Sequence, residues 1–122
     1  MELIPADHLT APLSTAVKAG DWIHVSGMVA TTEDGSPHVG DFDTEVSLAF
    51  DQLESALGKL GATLADAVKI NAYLANPLHF ARFNELYAER LGDHRPARTT
   101  VAVTFGHPDV RVEMDLVAYV GT

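Results

Sequence analysis

A chain without cysteine has no thiolate to act as nucleophile or metal ligand and no disulfide, so its chemistry must come from oxygen and nitrogen. Serine offers no clear nucleophile either. No Gly-x-Ser-x-Gly elbow occurs, and Val25-Ser26-Gly27 alone is too common a string to mark one. The six histidines, at 8, 24, 38, 79, 94 and 107, form no His-x-His or His-x-x-x-His pair, so no metal site is expected. The glycines form neither Gly-x-Gly-x-x-Gly nor Gly-x-x-x-x-Gly-Lys, which leaves nucleotide binding by a standard phosphate loop unsupported.

What remains is a small set of charged side chains inside runs that otherwise read as strand. Arg98 lies in Arg95-Pro96-Ala97-Arg98-Thr99-Thr100-Val101. It either pairs with a surface carboxylate or offers its planar fork to the carboxylate of a substrate. Glu113 and Asp115 interrupt the last strand on the face opposite Met114. Alternation makes solvent their default, the other reading being a cleft in which Glu113 orients or deprotonates a water. Spacing alone decides neither case.

The elements that must position these groups follow from periodicity. Thr15-Ala16-Val17-Lys18 and Trp22-Ile23-His24-Val25-Ser26, around Ala19-Gly20-Asp21, predict a hairpin. Residues 31 to 41 carry Gly35, Pro37 and Gly40 and read as a loop. From 43 to 60 the stripe Val46, Phe50, Leu53, Leu57, Leu60 predicts a helix, capped by Asp43 or Thr44 and closed by Gly61. Val68, Ile70, Ala72 and Leu74 alternate as in a half-buried strand. Asn76-Pro77 opens a second helix with the stripe Phe80, Phe83, Tyr87, Leu91, ended by Gly92. Strands over 97 to 103 and 111 to 120 complete the order β-β-α-β-α-β-β. With 122 residues this is one domain, 1–122, of the α+β class: two helices packed on one face of a mixed sheet. Val101, Val117 and Tyr119 make the other face partly apolar, and association with copies of the same chain is the economical way to cover it.

Composition narrows the function classes. Apolar residues at 47% against 20% charged describe a folded domain. The net charge of −9 and pI near 4.8 would repel a phosphate backbone, so no nucleic-acid partner is expected. No apolar run approaches the roughly 20 residues of a membrane span, and Met1-Glu2-Leu3-Ile4-Pro5 lacks the basic start of a secretion signal. A soluble, cytoplasmic protein without a membrane partner is the expectation.

Taken together, Gly20-Asp21-Trp22-Ile23-His24-Val25-Ser26-Gly27, Gly61-Ala62-Thr63-Leu64-Ala65-Asp66-Ala67-Val68-Lys69, Phe83-Asn84-Glu85-Leu86-Tyr87, Pro96-Ala97-Arg98-Thr99 and Val112-Glu113-Met114-Asp115 occur in one order. From about residue 12 to 120 this resembles the Rid family (YjgF/YER057c/UK114, or L-PSP), the reactive-intermediate imine deaminases. The resemblance implies a chorismate-mutase-like fold, a homotrimer with clefts at its subunit boundaries, and hydrolysis of enamines and imines such as 2-aminoacrylate to 2-keto acids and ammonia without metal or organic cofactor. It also implies that Arg98 binds the substrate carboxylate, that Glu113 positions the attacking water, and that Ser26 lies near the substrate. Asn84 matches a recurring position that serves either fold or ligand. Leu13, Thr100 and Met28 depart from the tyrosine, cysteine and glutamine frequent in the family. A greasier cleft follows, suited to an imine with a larger apolar side chain. A trimer that binds small carboxylates without turnover is the alternative, and ribonuclease action, also attached to this family, is disfavoured by the charge.

Overall fold

The computed structural model describes residues 1–6 and 11–122, so His8 lies outside the described residues. Six strands form one sheet: β1 (Glu2–Pro5), β2 (Ser14–Ala19), β3 (Trp22–Met28), β4 (Ala67–Leu74), β5 (Ala97–Ala102) and β6 (Val112–Tyr119). Their spatial order is β1-β2-β3-β6-β4-β5. Only β4 and β5 run parallel, joined by the crossover through helix α2 (Phe80–Leu91); helix α1 (Phe42–Gly58) links β3 to β4. The sheet is therefore mixed, and both helices lie on one face, as the periodicity predicts.

That face is the core. Val46, Phe50, Leu53 and Leu57 of α1 and Phe83, Tyr87 and Leu91 of α2 are buried against Ile23, Val25, Ile70, Leu74, Met114 and Leu116. Burying each large side chain contributes about 1.5–3 kcal/mol. The helix stripes are thus the expected ones, except that Phe80, in the first turn of α2, is only half-buried.

Four details differ from the sequence reading. Strand β1 adds a sixth strand, paired with β2 from Glu2↔Lys18 to Pro5↔Ser14; it is a short edge strand ending in proline, with little apolar signal. The cap of α1 is Asp41 rather than Asp43 or Thr44: its Oδ2 accepts from the Thr44 backbone N–H at 3.0 Å. The helix ends two residues early, and Gly61, at φ +76°, turns the chain so that the Ala62 N–H donates to the Leu57 carbonyl. Val68 is 40% exposed, because the β4–β6 register shifts between Ala67 and Lys69 and the bulge turns Val68 out of the alternation.

The opposite face mixes apolar edges with a polar centre. Trp22 and Tyr119, 46% and 38% exposed, pack ring to ring with centroids 4.8 Å apart, and Val101 is exposed on β5. Between them, Glu113 and Asp115 of β6 stand opposite Tyr73 and Asn71 of β4.

Candidate active site

Arg98 enters β5 in register with Ile70, a core residue, so its side chain leaves the sheet on the helix side. There it meets α2. Its guanidinium carbon sits 4.8 Å from the Tyr87 ring centroid and 5.6 Å from that of Phe83, and Nη2 donates to Asn84 Oδ1 at 2.7 Å. Cation–π contact of this kind contributes about 0.5–2 kcal/mol and fixes the plane of the fork. Asn84 is the only side chain among the described residues that takes a hydrogen bond from it, so further N–H donors stay available to an anion. Thr100, two residues along the same face, has a buried Oγ1 without a hydrogen bond, as does the Tyr87 hydroxyl. Burial pushes the Tyr87 phenol up, a shift that Arg98 and Arg95 oppose.

Glu113 belongs to a second cluster. In β6 it faces away from the helices, opposite Tyr73, and lies against the backbone of Gly27 so closely that a methyl group there would fall 2.2 Å from its Oε1. Glycine is what lets the carboxyl seat itself. Burial raises the Glu113 carboxyl above the usual glutamate range, and repulsion from Asp115 adds to the effect. Asp115 is itself held: Asn71 Nδ2 donates to one oxygen at 2.8 Å and the Tyr73 hydroxyl to the other at 2.7 Å. That hydrogen bond, with burial behind it, pushes the Tyr73 phenol up to about 12.

Ser26 precedes Gly27 where the β3–β6 register shifts between Val25 and Met28, and its hydroxyl donates to the Ser14 carbonyl at 2.6 Å. Ser26, Gly27 and Leu13 line a cavity of about 380 Å³ that opens between the end of β3, the 29–37 segment and α1.

The expected residues therefore form two groups: Arg98, Asn84 and Thr100 at one sheet edge, and Glu113, Ser26 and Leu13 across the middle. Arg98 and Glu113 project from opposite faces of strands two places apart, a lateral offset of roughly 10 Å at about 4.8 Å per strand. One chain does not bring them onto one small molecule.

Sequence reasoning missed Gly27, Tyr73 and Tyr87 as parts of these groups, and also Glu45. At 2% exposure, Glu45 is the buried charge of α1. It accepts from Arg111 Nε and the Arg111 N–H, both at 2.7 Å, and from the Val112 N–H at 3.2 Å. This pins the start of β6 two residues before Glu113. A glutamate one position before the first stripe residue of α1 was the available signal, and helical periodicity alone does not distinguish it from a solvated one. Among the described residues, no three His, Asp or Glu side chains gather as a metal site, and no helix is long and apolar enough to cross a membrane.

Comparison with known proteins agrees with this frame. The family model described as Endoribonuclease L-PSP matches residues 5–120. A RutC family protein of Pyrococcus abyssi is 36% identical over 109 residues, covering 88% of this chain and 86% of that protein. The 3-aminoacrylate deaminase RutC of Acinetobacter baylyi is 31% identical over 111 residues, covering 90% and 88%. The crystal structure of RidA from an Antarctic Psychrobacter species superposes with a TM-score of 0.88 at 27% identity, over 98% of this chain and 99% of that one. The chain belongs to the Endoribonuclease L-PSP family, the YjgF/RutC/RidA proteins.

Proposed function

We propose that the protein is a cytoplasmic hydrolase that deaminates 2-imino acids to 2-keto acids and ammonia, acting as a homotrimer in which Arg98 of one copy and Glu113 of another meet across the subunit boundary. The observation that carries this reading is Glu113 itself, a carboxyl with raised proton affinity seated on Gly27 beside an open cavity. A deaminase among the relatives supports the reaction class.

The chemistry asks little of the protein. An enamine takes a proton at carbon and releases one from nitrogen to become the imine. Arg98 then holds the carboxylate through paired N–H donors, fixing the C=N carbon relative to Glu113. Glu113 accepts a proton from water as its oxygen bonds to that carbon, and the C=N bond becomes C–N. That proton passes to nitrogen, the proton of the new hydroxyl follows it by way of Glu113 as the C–N bond breaks, and ammonia leaves as the carbonyl forms. A carboxyl whose proton affinity is raised by burial above the ordinary glutamate value is better suited to take and return a proton. No cofactor enters the balance. The field of −9 disfavours RNA as substrate, whatever the family's name.

Imines generated in place by an amino-acid oxidase provide the assay, with keto acid release timed against buffer. Glu113→Ala should abolish the acceleration while 2-keto acid binding persists, and Arg98→Ala should abolish both. Binding without acceleration in the parent protein would instead make it a carboxylate-binding trimer.

A further inference from the structure

We propose that the cavity beside Ser26 receives the side chain of the imine and selects neutral, extended side chains of four or more non-hydrogen atoms over a methyl group. The inference rests on the deaminase reading and adds its substrate class.

Size is the first reason. At about 380 Å³ the cavity falls in the roughly 300–1,000 Å³ range of small-molecule sites, yet neither Arg98 nor Glu113 lines it. The carboxylate and the reacting carbon therefore lie outside it. Only the side chain is left to enter, and a single methyl would leave most of a space fit for about a dozen waters unfilled, at roughly 30 Å³ each.

Shape and lining give the rest. The wall formed by α1 and its C-cap runs from Gln52 through Ser55 and Ala56 to Lys59, eight residues spanning about 10 Å, which suits an extended chain. Leu13, which adjoins Ser14 whose carbonyl accepts from Ser26, and Met28, two residues after Ser26, provide apolar contact to the first carbons. Elsewhere in the lining, Gln52 Nε2 donates to Thr31 Oγ1 at 2.7 Å, and the remaining amide and hydroxyl valences of this pair can meet a polar end. The pocket is thus not uniformly greasy, as Leu13 and Met28 by themselves imply; an amide-ended side chain fits it as well as a thioether. Glu33 and Lys59, of opposite sign, give a charged end no net field to favour it.

The test compares imines made by an oxidase from alanine, methionine, glutamine and glutamate, and titrates the matching 2-keto acids by calorimetry. The methionine and glutamine imines should exceed the alanine imine at least tenfold in kcat/KM, and the glutamate imine should not. Ser55→Trp and Thr32→Trp, which fill the cavity from opposite walls, should each reduce the methionine-to-alanine ratio at least fivefold, with circular dichroism confirming the fold. A preference for the alanine imine, or a ratio untouched by both tryptophans, overturns the proposal. Failure of every imine to be accelerated rejects the deaminase reading instead. The cavity assignment then stands or falls on whether the methionine-derived keto acid binds at least tenfold more tightly than pyruvate and loses that margin in Ser55→Trp.

Discussion

Glu113 keeps its carboxyl against Gly27 at a cost in solvation, and that cost has a sign. Burial first and Asp115 second raise its proton affinity in the folded state, so the native protein binds this proton more tightly than the unfolded chain does. The resulting stabilisation is complete below the unfolded-state value and is lost as pH rises through the folded one. A glutamine at 113 never ionises. The melting temperature of Glu113→Gln should therefore gain on the parent as pH climbs from about 4 to about 8, while turnover falls by roughly 10²–10⁴. Calorimetric scans across that range, paired with the imine assay, check both. An equal response of the two proteins to pH would mean that Glu113 is solvated like any surface glutamate. Asp115 belongs to the same setting, since its two oxygens are occupied by Asn71 and Tyr73 and cannot turn to relieve Glu113.

The elements decide where such residues can stand, and the sequence discloses them unevenly. Helices α1 and α2 are legible because Val46, Phe50, Leu53 and Leu57, and then Phe83, Tyr87 and Leu91, repeat a helical period against one buried surface. Strand β6 is legible for the matching reason, with Val112, Met114, Leu116 and Ala118 inward and Glu113 and Asp115 outward. Val68 misleads because a one-residue bulge inverts every inference drawn from alternation. Arg98 is recognisable as an unusual strand residue, but its face follows only from pairing with Ile70, which no local pattern gives. Glu45 is the largest omission. Its contact with Arg111 spans 66 residues, and long-range pairing leaves no trace in a window of helix. Removing the buried carboxylate leaves Arg111, itself partly exposed and still bonded to the Gly40 carbonyl, without its ion pair and unsatisfies two backbone N–H groups, so Glu45→Ala should cost about 2–4 kcal/mol in urea unfolding. A loss below about 1 kcal/mol, the range of exposed ion pairs, would show that the pair is solvated after all.

At the scale of the whole molecule, the arrangement asks for more than one copy. Arg98 with Asn84 and Thr100, and Glu113 seated on Gly27, are two groups that the sheet holds apart, Arg98 and Glu113 projecting from opposite faces. On the proposed deaminase reading a head-to-tail ring would unite them, each copy then offering its Arg98 edge to one neighbour and its Glu113 face to the other. The exposed Trp22, Tyr119 and Val101 give the open face apolar area to bury in such a ring. The consequence is testable by complementation. Arg98→Ala and Glu113→Ala should each be inactive alone, because every boundary of the proposed trimer then lacks one half. After co-refolding in equal amounts, three quarters of random trimers contain both kinds of chain, and each of these has one boundary with both halves intact. About one quarter of the parent activity should return, in a species whose mass by light scattering is three chains. A site contained within one chain predicts no recovery at any mixing ratio, because neither variant then owns a complete pair.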